Sequence, residues 1–347
     1  MMDTRNYNIH NILTVKINHL KRYLDEINLK FGYFERNQLE TPDIELNIRN
    51  FDPDVKDCTV VDHKYYVKEN YLFCKEKEGT CAWKVEFIGF NDGKITINYF
   101  GRNLRGSNYI NPDFLAQNFL LKVMEYQLLR KGYFLAHAGG VSKGGKAVIF
   151  PGRGGTFKTS ICMDLVRKSN YDFLGDDRVL VGEDLAYCFP MGYRVFRYML
   201  ESLKDENSWD LMHKIKLLRT ILVKDSGYSQ KVCEPADKYD LFFVTRSTDQ
   251  SFKVETYDNE STIKKLYCNN RIEDYIDISS LKIRTAPFAR YMLAYSYVHP
   301  DSEVSNYANN YSSLLSKIIG DRRSSGIFIP RRYDESVYKK VRDLIQT

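Results

Sequence analysis

The sequence predicts a mixed α/β protein with a small β-rich domain at its N-terminus. Three observations support this fold class: short β-type runs fill residues 44–100, a glycine-rich loop follows the apolar run 147–150, and helical and strand patterns alternate after that loop. A polar stretch at 101–112 separates the two parts. We therefore expect two domains, 1–110 and 111–347.

The composition indicates a globular protein and excludes several functional classes. With 347 residues, of which 43% are hydrophobic and 14% aromatic, the chain can form two cores. Its net charge of +6 is spread over the chain among acidic residues, which argues against a nucleic-acid partner. The seven cysteines include no CxxC pair, which favours reduced thiols. No apolar run reaches the ~20 residues of a membrane helix. We expect a cytoplasmic protein without a membrane partner, and a homo-oligomer is compatible with this composition.

The N-terminal part reads mainly as strands. Residues 11–31 have apolar side chains at helical spacing, which predicts a helix, although the first part fits a strand equally well. An Asn-Asp-Gly turn at 91–93 predicts a tight hairpin between the last two β-type runs. The expected strands are 44–48, 59–61, 65–67, 71–74, 82–88 and 94–100.

A helix is then expected from Pro112 to Arg130, because proline suits the first helical turn and Gly132 follows the last apolar position. Residues 133–136 predict a buried strand, and His137 comes directly after it. The sequence leaves both a structural and a functional role open for this histidine.

The loop at 152–159 has the spacing of a phosphate-binding loop, except that Phe157 replaces the usual second glycine. Glycines allow successive backbone N–H groups to converge on an anion. A helix over 158–168 would direct its N-terminus at the phosphates. The expected nucleotide-binding residues are Gly152, Arg153, Gly154, Gly155, Thr156, Phe157, Lys158, Thr159 and Ser160.

Two adjacent carboxylates, Asp176 and Asp177, follow the strand predicted at 171–174. Beside a bound triphosphate, such a pair supplies a metal ligand and a base. We expect Lys158 to contact the β- and γ-phosphates of ATP, and Thr159 with Asp176 to hold Mg²⁺.

His137, the loop at 152–159 and the run Gly175-Asp176-Asp177-Arg178-Val179 together resemble the kinase core of HPr kinase/phosphorylases, whose P-loop fold is shared with phosphoenolpyruvate carboxykinase. The resemblance covers about residues 133–190. It implies an ATP- and Mg²⁺-dependent phosphotransferase, places His137 near the active site, and gives Asp177 the role of the base that activates a serine-type hydroxyl. The longer carboxyl-side signature that engages HPr is absent, so HPr is a poor candidate for the acceptor.

Three functions are compatible with these motifs. The favoured one is a kinase that phosphorylates a serine-type hydroxyl of a peptide, protein or small molecule, with Asp177, His137 and Lys158 as catalytic residues. The second is a nucleotide-dependent switch or ATPase, because Arg153-Gly154-Gly155 loosely resembles the Lys-Gly-Gly of deviant P-loop ATPases. The third is a degenerate, non-catalytic nucleotide-binding domain, which Phe157 would allow.

The remaining patterns complete the expected domain. Arg194 and Arg197 are candidates for phosphate contacts, although exposed arginines are common and a role on the solvated surface is favoured. A hairpin is expected from 178–181 and 185–189, helices at 202–224, within 261–317 and at 335–345, and strands at 239–245, 252–256 and 327–329.

Overall fold

A computed structural model of the chain describes residues 3–19, 24, 27–28, 30–78, 81–103, 112–191, 234–249, 251–272, 287–320 and 322–346. The chain divides into two compact units. The first comprises Met1–Asn28, Phe34–Lys131 and Arg271–Ser313, and the second comprises Leu29–Tyr33, Gly132–Asn270 and Leu314–Thr347. Residues 112–131 and 271–313 therefore group with the N-terminal part, although the sequence predicts them to lie in the second domain.

In the first unit, nine strands of the described residues form one sheet in the order β3-β1-β2-β4-β9-β8-β7-β6-β5. Pairing is parallel between β2, β4 and β9 and antiparallel elsewhere in this sheet. The strands are β1 (Asp3–Ile9), β2 (Leu13–His19), β3 (Glu35–Arg36), β4 (Ile44–Ile48), β5 (Thr59–Val61), β6 (Tyr65–Lys68), β7 (Tyr71–Glu78), β8 (Cys81–Ile88) and β9 (Ile95–Asn103). A 3₁₀ turn, Gly32–Phe34, precedes β3.

The helices whose full bounds lie within the described residues are α1 (Pro112–Arg130), α2 (Lys158–Ser169), α3 (Asn259–Arg271), α4 (Pro287–Val298), α5 (Tyr307–Ile319) and α6 (Glu335–Gln346). Leu24, Ile27, Asn28, Lys30 and Phe31 are also helical. In the first unit, α1 and α4 pack against the sheet. Their contact is aromatic: Phe119 of α1 stacks on Tyr291 of α4 at 5.7 Å between ring centres, and both rings contact Phe87 of β8.

In the second unit, a six-stranded sheet has the order β13-β11-β12-β16-β18-β17, with β12, β16 and β18 parallel at its centre. A smaller sheet has the order β10-β14-β15. The strands are β10 (Phe134–Ala136), β11 (Ala138–Lys143), β12 (Lys146–Pro151), β13 (Asp172–Gly175), β14 (Arg178–Val181), β15 (Ala186–Phe189), β16 (Lys238–Arg246), β17 (Lys253–Thr256) and β18 (Ser324–Ile329).

Helices α2 and α6 cover the six-stranded sheet with an apolar core. Its strand side includes Val148, Phe150 and Val244, and its helix side includes Ile161 and Val341, each at most 2% exposed. Because β12 and β16 are buried parallel strands, their carboxyl ends lie together at one edge of the sheet, which is where ligands bind in open α/β sheets.

Several sequence predictions are confirmed. The strands at 44–48, 59–61 and 178–181 have the expected bounds, and the helix begins at Pro112 and ends at Arg130 as expected. The helix expected over 11–31 is wrong in its first part. The alternative expectation of a strand is confirmed there, because β2 forms at Leu13–His19. Leu13, Val15 and Ile17 alternate with polar residues and are at most 1% exposed, so burial on one side of a sheet decides the structure. The helix expected at 202–224, together with Arg194 and Arg197, lies outside the described residues.

Among the residues that the structure describes, no helix is both long and apolar enough to span a membrane.

Candidate functional site

The glycine-rich loop, residues 152–157, connects the end of β12 to the start of α2. Its first residue, Gly152, makes a parallel bridge to Val244 of β16. A Cβ atom on Gly152 would lie 2.6 Å from the Val244 carbonyl oxygen, so only glycine fits at this contact. The loop therefore begins against the carboxyl end of the neighbouring parallel strand.

Phe157 occupies the position of the second glycine and adopts a glycine-like backbone, with φ 71° and ψ 16°. This left-handed conformation costs roughly 1–2 kcal/mol for a residue with a Cβ atom. The sequence motif and the backbone therefore agree about the shape of the loop, although the side chain differs.

The Phe157 ring makes contacts that offset this cost. It stacks on Tyr333 with ring centres 5.8 Å apart and an interplanar angle of 24°, and the Arg246 guanidinium lies 5.4 Å from its centre. An aromatic pair contributes about 0.5–1.5 kcal/mol and an exposed cation–π contact about 0.5–1 kcal/mol. The ring also packs against the apolar core between α2, α6 and the sheet.

Lys158 lies at the end of the loop with its side chain folded into it. Its Nζ donates hydrogen bonds to the carbonyl oxygens of Gly152 at 2.7 Å and Arg153 at 2.9 Å. Burial lowers the pKa of Lys158, and the nearby carboxylates of Asp177 and Asp176 oppose that shift. An ammonium group held by two neutral carbonyls can exchange them for phosphate oxygens, which are stronger partners.

Two further hydrogen bonds brace the loop. The Thr156 hydroxyl donates to the Arg153 carbonyl at 2.8 Å, and the Arg153 guanidinium donates to the Asn269 carbonyl at 2.8 Å. Gly154 and Gly155 are exposed, and Ser160 is half-buried in the first turn of α2.

Asp176 lies in the turn between β13 and β14, next to the first turn of α2. Burial raises the pKa of the Asp176 carboxyl, and a hydrogen bond with the Thr159 side chain opposes the shift. Its Oδ1 atom is buried and has no hydrogen-bond partner among the described residues. A buried carboxylate oxygen without a partner is costly unless a cation or donor meets it.

Thr159 and Asp176 carry oxygen atoms of the kind that Mg²⁺ accepts as ligands. Mg²⁺ is usually held by one or two protein oxygens together with phosphate and water oxygens. The Thr159 hydroxyl, next to a carboxylate that has one unpartnered oxygen, provides such a pair. No group of three or more His, Cys, Asp or Glu side chains able to hold a metal occurs in the described part of the chain, so a dedicated protein cage is absent there.

Asp177 is half-exposed beside two basic side chains. The Arg178 guanidinium donates to the Asp177 carboxylate at 3.2 Å and to the His137 Nδ1 atom at 2.5 Å. The His137 Nδ1 atom lies 3.7 Å from the Asp177 carboxylate. Since arginine only donates, Nδ1 is the acceptor and the imidazole proton lies on Nε2.

Three residues at the site were not found from the sequence. Asn270 Oδ1 accepts from the His137 backbone N–H at 2.9 Å, and Asn269 Nδ2 donates to the His137 carbonyl at 2.7 Å, so the end of α3 fixes the backbone on both sides of His137. Lys30 lies near Asp177: burial lowers the pKa of Lys30, and the Asp177 carboxylate opposes the shift. No motif marks these residues, because they reach the site from distant parts of the chain.

The structure thus brings Lys158, Thr159, Asp176, Asp177 and His137 together at the carboxyl edge of the β12–β16 pair. Comparison of the chain with protein-family models and with curated proteins finds no match.

Proposed function

We propose that this protein is an ATP- and Mg²⁺-dependent phosphotransferase of the HPr kinase-like type, acting on a serine-type hydroxyl of a peptide, protein or small molecule. The observation that supports the proposal best is that Lys158 and the Asp176-Asp177 turn lie close together. Lys158 is held at the mouth of a glycine-rich loop, and the Asp176-Asp177 turn lies close enough for both carboxylates to act on the Lys158 ammonium. Phosphoryl transfer requires little more than such positioning and charge neutralisation.

The residues divide the work as follows. Backbone N–H groups of the glycine-rich loop and the N-terminus of α2 bind the phosphates, and Lys158 stabilises the charge on the β- and γ-phosphates. Thr159 and Asp176 would hold Mg²⁺, which neutralises phosphate charge when bound. Asp177 accepts the proton of the acceptor hydroxyl as its oxygen bonds to the γ-phosphorus. The bond between the γ-phosphorus and the β,γ-bridging oxygen breaks, and ADP leaves.

His137 has a positioning role in this scheme. Its Nδ1 atom receives an Arg178 N–H, and the same guanidinium nitrogen bonds the Asp177 carboxylate. His137 therefore orients Arg178, which in turn orients the base. Asn270 and Asn269 bond the His137 backbone and thereby fix the position of His137 itself.

A degenerate nucleotide-binding domain is the second candidate, because Phe157 replaces a glycine. The left-handed backbone at Phe157 favours a working loop, since the conformation that glycine provides is present. A switch or ATPase would use the same phosphate-binding groups and would not need Asp177 as a base for an organic acceptor.

The proposal is tested by following phosphate transfer from Mg·ATP to water, free serine and a set of serine-containing peptides. We expect Asp177→Asn to slow transfer by about 10²–10⁴-fold, the usual contribution of a positioned base. Its nucleotide affinity should be unchanged, because the phosphates do not contact this side chain in the proposed scheme. Asp172→Asn, an exposed aspartate on β13, is the matched control. Unchanged transfer by Asp177→Asn would remove the base assignment. No transfer by the wild type to serine or to any peptide would contradict the kinase, and transfer to water alone would favour the ATPase.

A further inference from the structure

Phe157 is unusual among the residues of the described chain that have a positive φ. The other non-glycine residues with this backbone are asparagine, aspartate or histidine: His10, Asn11, Asp57, Asp62, His63, Asn70 and Asn170. These types tolerate the left-handed region, whereas a bulky aromatic residue is an outlier there. An outlier of this kind persists only when its surroundings fix it.

Both partners of the Phe157 ring are themselves anchored. The Tyr333 hydroxyl donates to the Asp164 carboxylate of α2 at 3.0 Å, and Asp164 also pairs with Lys168 at 2.9 Å. The Arg246 guanidinium donates to the Arg331 carbonyl at 3.1 Å. The ring of Phe157 is therefore held between groups at the carboxyl ends of β16 and β18.

The Phe157 side chain and the Lys158 side chain have different environments. The Phe157 ring packs against the apolar core, Tyr333 and Arg246, whereas the Lys158 ammonium bonds the loop carbonyls of Gly152 and Arg153. The large side chain thus leaves the phosphate-facing groups of the loop in place.

We infer that the aromatic stack, defined as Phe157, Tyr333 and Arg246, stabilises the left-handed backbone that a glycine at residue 157 would adopt unaided. The stack thereby holds the glycine-rich loop in the conformation that binds nucleotide phosphates. Phe157 and Tyr333 are accordingly positioning residues for the phosphate site. This inference rests on the proposed function, because the phosphates belong to the proposed nucleotide. It predicts that Tyr333 matters for binding only while residue 157 is not glycine.

The test is a cycle of four proteins: wild type, Tyr333→Ala, Phe157→Gly and the double variant. Each is titrated calorimetrically with magnesium and a non-hydrolysable ATP analogue. Tyr333→Ala should weaken binding about three- to tenfold, the range expected when one aromatic pair is lost. In the Phe157→Gly background the same change should leave the affinity within about twofold, because glycine adopts the left-handed backbone without support. Phe157→Ala, which keeps the strain and loses the ring, should bind more weakly than Phe157→Gly.

Phe252→Ala is the matched control, because Phe252 packs against the same apolar core and its ring contacts Lys340. Its affinity should equal that of the wild type. Tyr333→Phe keeps the ring and should restore most of the affinity lost in Tyr333→Ala.

Two failures are distinguishable. In the first, the wild type binds the analogue, Lys158→Ala does not, and Tyr333→Ala binds as tightly as the wild type. That result overturns the positioning role but not the proposed function, and so does an equal effect of Tyr333→Ala in both backgrounds. A wild type that binds no analogue overturns the proposed function and the positioning role with it.

Discussion

Replacing Asp176 by asparagine should stabilise the nucleotide-free protein and abolish its stabilisation by Mg²⁺ and nucleotide. Asp176 is half-buried, its Oδ1 atom is buried without a partner among the described residues, and burial raises the pKa of its carboxyl. An unsatisfied buried polar group costs about 1–3 kcal/mol, and more when it is charged. Asparagine keeps the volume and an acceptor for Thr159 while it removes the charge.

We expect a gain of about 1 kcal/mol in the free energy of unfolding, because the neutral amide still leaves one group unpaired. For a unit of 150–250 residues this corresponds to a rise in Tm of about 2–4 °C. With saturating magnesium and ATP analogue, the wild type should be the more stable of the two proteins. It gains stability by mass action, whereas Asp176→Asn gains little because one metal ligand is gone.

The pH dependence gives a second check with a definite sign. The folded-state pKa of Asp176 lies above its ordinary value of 3.8, so the folded protein binds this proton more tightly than the unfolded chain. Raising the pH through the window that begins near 3.8 and ends at the raised pKa therefore lowers stability. Asp176→Asn lacks this group, so its advantage should be largest at neutral pH and should shrink as the pH falls through that window.

Differential scanning calorimetry without ligand, in EDTA, measures the first effect, and the same scan with magnesium and analogue measures the second. Asp172→Asn makes the same chemical change at an exposed position of β13 and should shift Tm by less than 1 °C, since surface substitutions are usually within about 0.5 kcal/mol. A ligand-free Asp176→Asn that is less stable than the wild type would refute the argument that the charge of Asp176 destabilises the ligand-free protein.

Two further substitutions test the structure, one in each unit. Gly175→Ala would place a Cβ atom against the Arg178 carbonyl oxygen, so it should lower the free energy of unfolding by about 1–3 kcal/mol in urea unfolding. It should also weaken Mg²⁺-dependent nucleotide binding in a calorimetric titration. Unchanged binding would contradict the tight turn. In the first unit, the Glu76 side chain is 4% exposed and pairs with Lys64 at 2.9 Å and Arg290 at 3.0 Å. Glu76→Ala should destabilise that unit by about 1–3 kcal/mol in urea unfolding, because the buried Tyr291 hydroxyl loses an acceptor, and an unchanged stability would show that these contacts contribute little.

Local patterns predicted much of the second unit. A buried strand, a glycine-rich loop and a helix follow each other within 146–169, and two aspartates end the next strand; each element is specified by neighbours in sequence, so β12, α2 and β13 form as expected. The sequence also marked Phe157 as a departure. What it could not show is the left-handed backbone there and the stack on Tyr333, because the partner belongs to the β18–α6 connection far along the chain.

Contacts between distant segments account for the rest. The prediction of a helix over 11–31 counted apolar positions without knowing that β1 would pair with 13–19 and that helix α1 would contact that strand. Strand β1 itself, rich in polar residues, was not predicted, because its alternation is weak without its partner. Likewise, no spacing rule brings Asn270 to His137 or Lys30 to Asp177, since tertiary packing alone makes these neighbours.

The central claim is that the glycine-rich loop binds nucleotide phosphates through Lys158. Calorimetric titration of the wild type with magnesium and a non-hydrolysable ATP analogue, beside Lys158→Ala and the surface control Lys143→Ala, tests it most directly. The account predicts micromolar binding by the wild type and Lys143→Ala, about −8 kcal/mol, and loss of binding in Lys158→Ala. Equal affinity of all three proteins, or no binding by any of them, would contradict the claim.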